Sequence, residues 1–325
     1  MTADAAGTGP RDADRGRDAS GAVRRLLGSA DFARAFTLTT FAALVGSHLI
    51  ERVAGIVTLR AVVAGLCVFA LGILSARREE ISLLRLVPTT LLLLVAWAFA
   101  SVFWSSDPFT SLGRWTAMAA VALLAVTIGH IRDTLQTVRA LGDVLRTALG
   151  LSLGLEVLSG ILLDVPLKFL GIQGNIAALG PIQGIFGTRN MLGIITVVAM
   201  ITFAVEMRTQ SVRPGTAAAS LTLAAALGLL SASPTVLVLA VAAGTATAVL
   251  MLVRAVPAER RRAVQWSLAA VVAAASVAGY VQRARILDAL GATDDLSMRT
   301  RLWSLAGFYT SKRPVQGWGW FGPWE

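Results

Sequence analysis

A polytopic bundle of membrane-spanning α-helices is the fold class this sequence predicts, and three observations predict it. Hydrophobic residues make up 55% of the 325-residue chain and charged residues only 15%, more apolar surface than one soluble core can hide. That content is gathered into long, nearly uncharged runs, each approaching the ~20 residues a helix needs to cross the hydrocarbon layer. Arginines collect in short gaps between the runs, among them Arg77, Arg78, Arg132, Arg139, Arg208, Arg213, Arg254, Arg260, Arg261 and Arg262. A transmembrane barrel is excluded, because its strands would alternate polar and apolar residues. The net charge of +10 invites a nucleic-acid reading. Its placement is instead that of topology determinants in cytoplasmic loops, so no nucleic-acid partner is expected.

Residues 1–34 are rich in Asp, Arg, Gly and Ala. They read as a disordered cytoplasmic tail, too polar to bury a core, and the run after them as an uncleaved anchor. Spans are predicted near 35–50, 58–76, 86–104, 116–131, 141–163, 191–207, 216–232, 235–253 and 264–280, about nine in all. They must be helices, since lipid offers no partner to free backbone groups. Every second gap is arginine-rich: 76–85, 132–139, 208–215 and 254–262. The intervening gaps 105–115, 164–190 and 232–234 are arginine-poor. The tail is therefore assigned to the cytoplasm, 35–280 to the plasma membrane, and 281–325 to the start of a large external loop. Trp104 and Trp115 then fall at the outer interface, where indole rings are at home. Cys67, alone in its apolar run, excludes an intramolecular disulfide and a cysteine zinc site. Runs such as "AVAAGTATAVL" (240–250) permit close helix packing, and no internal repeat is evident.

The unusual residues lie on the predicted outer side. The 164–190 gap holds five glycines, two prolines and the charges Asp164, Lys168 and Arg189. So long, apolar and interrupted a segment predicts a re-entrant or interface-lying loop. Arg189 and Asn190 stand directly before a span, and a helix N-terminus beside an arginine attracts anions. A snorkelling anchor is the equal alternative for Arg189. Beyond residue 280, Arg283, Arg285, Arg299, Arg301, Lys312 and Arg313 occupy the side where positive charge is disfavoured. Guanidinium forks match phosphate oxygens in pairs. If "SMRTRLWSLAGFYT" is a helix, Arg299 and Trp303 share a face and Arg301 lies on another. The same spacing also describes an amphipathic helix lying in the interface, Trp303, Leu305 and Phe308 in lipid. Glu156 sits inside a span, where a carboxylate is costly and faces a bundle interior or wet cavity. Its partner must come from elsewhere in the chain, and a functional and a structural pairing are both open. His48 and His130 have neither a neighbouring carboxylate pair nor metal-ligand spacing. Nucleotide-binding, zinc-protease and nucleophile-elbow motifs are absent from the sequence.

Three segments together resemble the O-antigen ligase and polymerase superfamily of bacterial membrane glycosyltransferases. In "AWAFASVFWSSDPFTSLGRW" (96–115) the resemblance rests on Trp97, Ser101, Trp104, Ser105, Asp107, Pro108, Ser111 and Arg114. In "GIFGTRNMLG" (184–193) it rests on Gly184, Phe186, Asn190 and Gly193. In "RTRLWSLAGFYTSKRPVQGWGWFG" (299–322) it rests on Arg299, Trp303, Pro314, Gly317 and Gly319. "LLSASPTVLVLA" (229–240) is similar to the family's Ser-x-Ser stretch at Ser231, Ser233 and Thr235. The exopolysaccharide-polymerase branch looks nearest.

The resemblance implies a donor oligosaccharide carried on polyprenyl pyrophosphate, a glycan or lipid acceptor, and transfer on the outer side of the membrane. It implies neither metal nor cofactor. Arg299 and Arg301 would meet the pyrophosphate. Arg189, Asn190, Trp303, Lys312, Arg313 and Glu156 would bind substrate. Two departures stand out. Pro234 occupies a position where many ligases carry arginine, and the family's external histidine, which helps activate the acceptor, would lie beyond Glu325. The expectation is thus a chain truncated within its catalytic loop. A secondary transporter or lipid-linked oligosaccharide flippase is the rival class, and a non-catalytic fragment or assembly subunit is the third reading.

Overall fold

The computed structural model describes residues 21, 25–78, 87–289 and 293–320. The chain is all-α. Helix α1 (Ala30–Val45) opens on Ser29, whose hydroxyl accepts the Phe32 N–H at 3.2 Å, satisfying a donor the first helical turn leaves open. Helix α2 (Ser47–Ala76) is interrupted at Gly55, where φ is 85°, a conformation natural only without a Cβ. Helix α3 (Thr89–Ala100) tightens into the 3₁₀ turn Ser101–Trp104. Helix α4 (Pro108–Ile131) is capped by Asp107, and α5 (Thr134–Val157) runs into a π turn at Leu158–Leu162. Then follow α6 (Arg189–Arg208), α7 (Pro214–Leu230), α8 (Pro234–Ala255), α9 (Ala258–Val281), α10 (Arg283–Ala289) and α11 (Thr293–Lys312). Among the described residues β structure is confined to an isolated bridge between Leu167 and Ile172.

Six helices among the described residues are long and apolar enough to cross a membrane, and Thr89–Trp104 and Pro214–Leu230 are shorter apolar helices. The continuous span predicted over 35–50 is corrected: α1 ends at Val45 and Gly46 breaks the helix before α2 begins. The gap predicted at 51–57 is helical except at Gly55. Glycine, not the charged Glu51 and Arg52, sets both breaks, since Glu and Arg are good helix formers. Helix α1 begins at Ala30, within the segment read as the tail. Most of the predicted tail lies outside the described residues. The segment predicted as external loop contains α10 and α11, and "SMRTRLWSLAGFYT" is indeed helical.

The chain forms two compact units, with the boundary inside α5. In the first (Met1–Ala148, Arg208–Ser211, Trp318–Glu325), α1, α2 and α4 pack together. Ala33, Phe36 and Ala43 meet Leu66, Ala70, Ile73, Leu124, Ile128 and Ile131, each set spaced as one helix face. Arg77 Nη2 donates to the Gly28 carbonyl at 3.0 Å, which ties together two segments predicted to share a side.

In the second unit (Leu149–Met207, Val212–Gly317) α6 approaches α7 and α8 through glycines. A Cβ on Gly193 would run into the Val236 side chain, and one on Gly228 would lie 3.1 Å from Thr196 Oγ1. Such close approach lets backbones pack where lipid gives no hydrophobic drive to associate. Gly244 in α8, by contrast, faces open space. Gly193→Ala should therefore destabilise the protein by ~1–3 kcal/mol through overpacking. Gly244→Ala should stabilise it by up to ~1 kcal/mol through helix propensity. Thermal unfolding in detergent reads both, and a shift of the same sign for the two variants would contradict the packing.

Candidate functional site

The C-terminal half of α5 carries two polar side chains one turn apart, Ser152 and Glu156, on one face of an apolar helix. Both are buried, Glu156 to 1% exposure. Glu156 Oε1 accepts the Gln183 N–H at 3.1 Å and the Gly184 N–H at 2.9 Å. Ser152 Oγ accepts the Ile185 N–H at 3.3 Å. Three consecutive amides of the 164–190 loop are thus satisfied by two side chains of the helix beneath them. Gly184 makes this approach possible: its φ is 54°, and a Cβ there would lie 2.5 Å from Ser152. The π turn does the same lower in the loop, where Gly160 packs on the Gly174 carbonyl and Ser159 Oγ donates to the Val165 carbonyl at 2.7 Å.

The loop is consequently a folded element. Leu170, Ile172, Ile176, Ile182, Ile185 and Phe186 are buried, and the Ile182 N–H bonds the Leu230 carbonyl at 3.1 Å. Its far end delivers the chain into α6. Thr188 Oγ1 caps the helix by accepting the Met191 N–H at 3.2 Å. Arg189 is exposed at the first turn, on the positive end of the helix dipole. Asn190 Oδ1 accepts the Ser233 hydroxyl at 2.6 Å, and Ser233 also caps α8 through the Val236 N–H. A single pair of side chains therefore joins the start of α6 to the turn between α7 and α8.

A second cluster belongs to the first unit, around the turn from α3 to α4. Ser105 Oγ lies 2.6 Å from Ser111 Oγ and accepts the Asp107 N–H at 3.3 Å. The Thr110 hydroxyl, followed by its N–H at 3.0 Å, holds the half-buried Asp107 carboxyl below its ordinary range. Against this turn sits Gly319, with φ 105° and so little room that a Cβ would lie 2.5 Å from Ser105 Cβ. Aromatic rings flank it: Trp97 on Trp104 at 5.8 Å, and Phe99 on Trp115 at 4.7 Å, with Trp115 Nε1 donating to the Val95 carbonyl at 3.0 Å.

The residues singled out in the sequence fall in two groups. Glu156, Arg189 and Asn190 belong to the loop and its flanking helices. Arg299, Arg301, Trp303, Lys312 and Arg313 belong to α11 and its end. Arg301 and Trp303 are exposed, Arg299 half-buried, and Lys312 Nζ lies 5.1 Å over the Phe308 ring. Of these, Glu156 is engaged by the loop backbone. Its Oε1 is taken up by loop amides, which makes it a residue that positions the loop. Ser152 was passed over, although a Ser and a Glu four residues apart in an apolar helix signal a shared polar face. Glu206, fully buried near the end of α6, was passed over too. Among the described residues no group of three His, Cys, Asp or Glu could hold a metal ion.

Comparison with protein-family models, with curated proteins and with solved structures finds no match to this chain.

The loop contacts make a direct prediction. Glu156→Ala removes the acceptor from two amides, each left unsatisfied at ~1–3 kcal/mol. Amide exchange at Gln183 and Gly184 should accelerate at least ~10-fold. Glu156→Gln retains a carbonyl oxygen and should stay near wild type. Equal protection in Glu156→Ala and wild type would show that the carboxylate does not hold the loop.

Proposed function

We propose that this chain is an O-antigen ligase/polymerase-like protein of cell-surface polysaccharide synthesis, spanning the plasma membrane about nine times with its N-terminus in the cytoplasm. It would transfer, or polymerise, a glycan carried on polyprenyl pyrophosphate at the outer membrane face. The observation that carries this reading is Gly319 seated on Ser105, since the resemblance draws on both residues from segments far apart in the chain. The Asn190–Ser233 hydrogen bond supports it in the same way, joining the second segment to the Ser-x-Ser stretch. The span count rests on the hydropathy of the runs, and the orientation on the arginine bias of alternate gaps.

In this reading the acceptor hydroxyl attacks the anomeric carbon of the donor glycan. The bond from that carbon to the pyrophosphate oxygen breaks, and polyprenyl pyrophosphate leaves with the electron pair. Arg299 and Arg301 stabilise the charge that grows on the departing oxygens, an effect strongest where water is scarce. Arg189 adds positive potential at the first turn of α6. Trp303 offers an aromatic face to sugar or lipid. The proton of the acceptor hydroxyl requires a base, and no residue of this chain is assigned to that role.

Arg299→Lys keeps the charge and loses the paired hydrogen-bond fork. With the variant placed at the native locus and its membrane level matched to wild type, surface glycan should fall ~10-fold or more, a charged hydrogen bond being worth ~1.5–3 kcal/mol. Wild-type glycan amount and length would overturn the assignment. Solute uptake by proteoliposomes without glycan transfer would favour a transporter instead.

A further inference from the structure

Helix α11 (Thr293–Lys312) is amphipathic, and its apolar side lies on open surface. Met298, Leu302, Leu305 and Tyr309 recur at i, i+4, i+7 and i+11, which places them on one face. Met298 is 61% exposed, Leu302 56% and Leu305 52%, and none of residues 297–312 is buried. The opposite face carries Thr300, Ser304, Gly307 and Ser311. Ser304 and Ser311 donate to the Arg301 and Phe308 carbonyls of their own helix, each at 2.8 Å, so that face meets part of its hydrogen-bonding need by itself. Trp303 falls ~130° round the helix from the apolar stripe.

Both edges of the stripe are cationic. Arg301 and Lys312 lie along one edge, and Arg299 along the other with Arg313 just past the helix end. Between Ser297 and Trp324 the sequence has these four charges and no Asp or Glu. Asp294 and Asp295 fall in the first turn, where the helix dipole favours them. Lys312 is exposed and its Nζ lies 5.1 Å over the Phe308 ring, the posture of a cation whose stem follows apolar surface. Position narrows the partner. Helix α9 is long and apolar enough to cross a membrane, and Arg283 sits 4.5 Å over the Tyr280 ring at its end. Because α10 advances ~1.5 Å per residue and each connecting residue at most ~3.6 Å, α11 starts within ~30 Å of the end of α9. A protein partner would need an apolar groove with acidic rims. A bilayer around α9 supplies an apolar layer and phosphate headgroups within that reach.

We propose that α11 lies flat on the bilayer surface beside α9, with Met298, Leu302, Leu305 and Tyr309 among the upper acyl chains and its edge cations on the phosphates of anionic phospholipids. Both contributions are needed, since a stripe of four residues and a few cations each hold a surface helix weakly alone. In this pose Trp303 stays above the lipid, on the water side. The inference concerns the bulk lipid of the membrane and does not depend on the glycan-transfer reading.

The test uses the full chain in nanodiscs of phosphatidylcholine, with and without phosphatidylglycerol. Nitroxide labels are placed singly through Thr300→Cys, Leu302→Cys, Trp303→Cys, Ser304→Cys, Leu305→Cys and Ser311→Cys in a Cys67→Ala background. Power saturation compares collision with oxygen, which concentrates in lipid, and with a nickel chelate, which stays in water. In anionic discs the oxygen-to-nickel ratio at 302 and 305 should exceed that at 300, 304 and 311 by ~5-fold or more, with 303 siding with the latter. Pure phosphatidylcholine, or Arg301→Gln with Lys312→Gln, should lower the ratio at 302 and 305 ~3-fold. Equal ratios at 302 and 304 in anionic discs overturn the proposal. Shielding of 302 and 305 from both reagents, the mark of a protein contact, overturns it as well. So does a ratio at those positions that neither lipid charge nor the paired glutamines alter.

Discussion

The demand that every backbone amide find a partner in apolar surroundings shapes this protein more than any other constraint. Within the apolar runs the helix itself meets that demand. The 164–190 loop cannot meet it that way, because its glycines and prolines forbid a continuous helix. Glu156 and Ser152 meet it from α5, accepting the N–H groups of Gln183, Gly184 and Ile185. A carboxyl group buried in an apolar helix is costly alone, and here the cost is offset by two backbone hydrogen bonds. Once those amides are held, the chain enters α6 at a fixed point, and Asn190 can reach Ser233.

How much of this was legible in the sequence depends on the range of the interaction. Continuous apolar runs announce helices because the signal is local and repeated, and all-α character follows directly. The buried state of Glu156 was legible as well, since a charge in a span has few alternatives. Its partner was not, because backbone amides carry no sequence signature and lie 27 and 28 residues away. The break at Gly46 escaped for a related reason: hydropathy registers apolarity and is blind to a helix that stops and restarts. The Ser105–Gly319 and Asn190–Ser233 contacts are long-range, and nothing in residue spacing encodes them. Family resemblance grouped the segments without stating which residues touch.

Two features of the structure bear on chemistry. The loop and the α7–α8 turn form a hydrogen-bonded rim around the start of α6, where Arg189 is exposed. Helix α11 displays Arg301, Trp303 and Lys312 on open surface. The Ser233 hydrogen bond that holds Asn190 suits recognition, since a preorganised group loses less entropy when a ligand arrives. Exposed cations beside an aromatic ring suit a charged, sugar-bearing headgroup. Both suit the proposed function, in which a lipid-borne glycan would be held by its diphosphate while its reducing end is transferred.

The claim on which this account turns is that the polar, glycine-rich segments face the outside while the arginine-rich gaps face the cytoplasm. Single cysteines at Ser106, Thr310 and Ser211, in a Cys67→Ala background, test it with a membrane-impermeant maleimide on intact cells. The account predicts labelling at 106 and 310 in intact cells, and at 211 only after permeabilisation. Labelling at 211 in intact cells, or protection of 106 or 310 until the cells are opened, would contradict it.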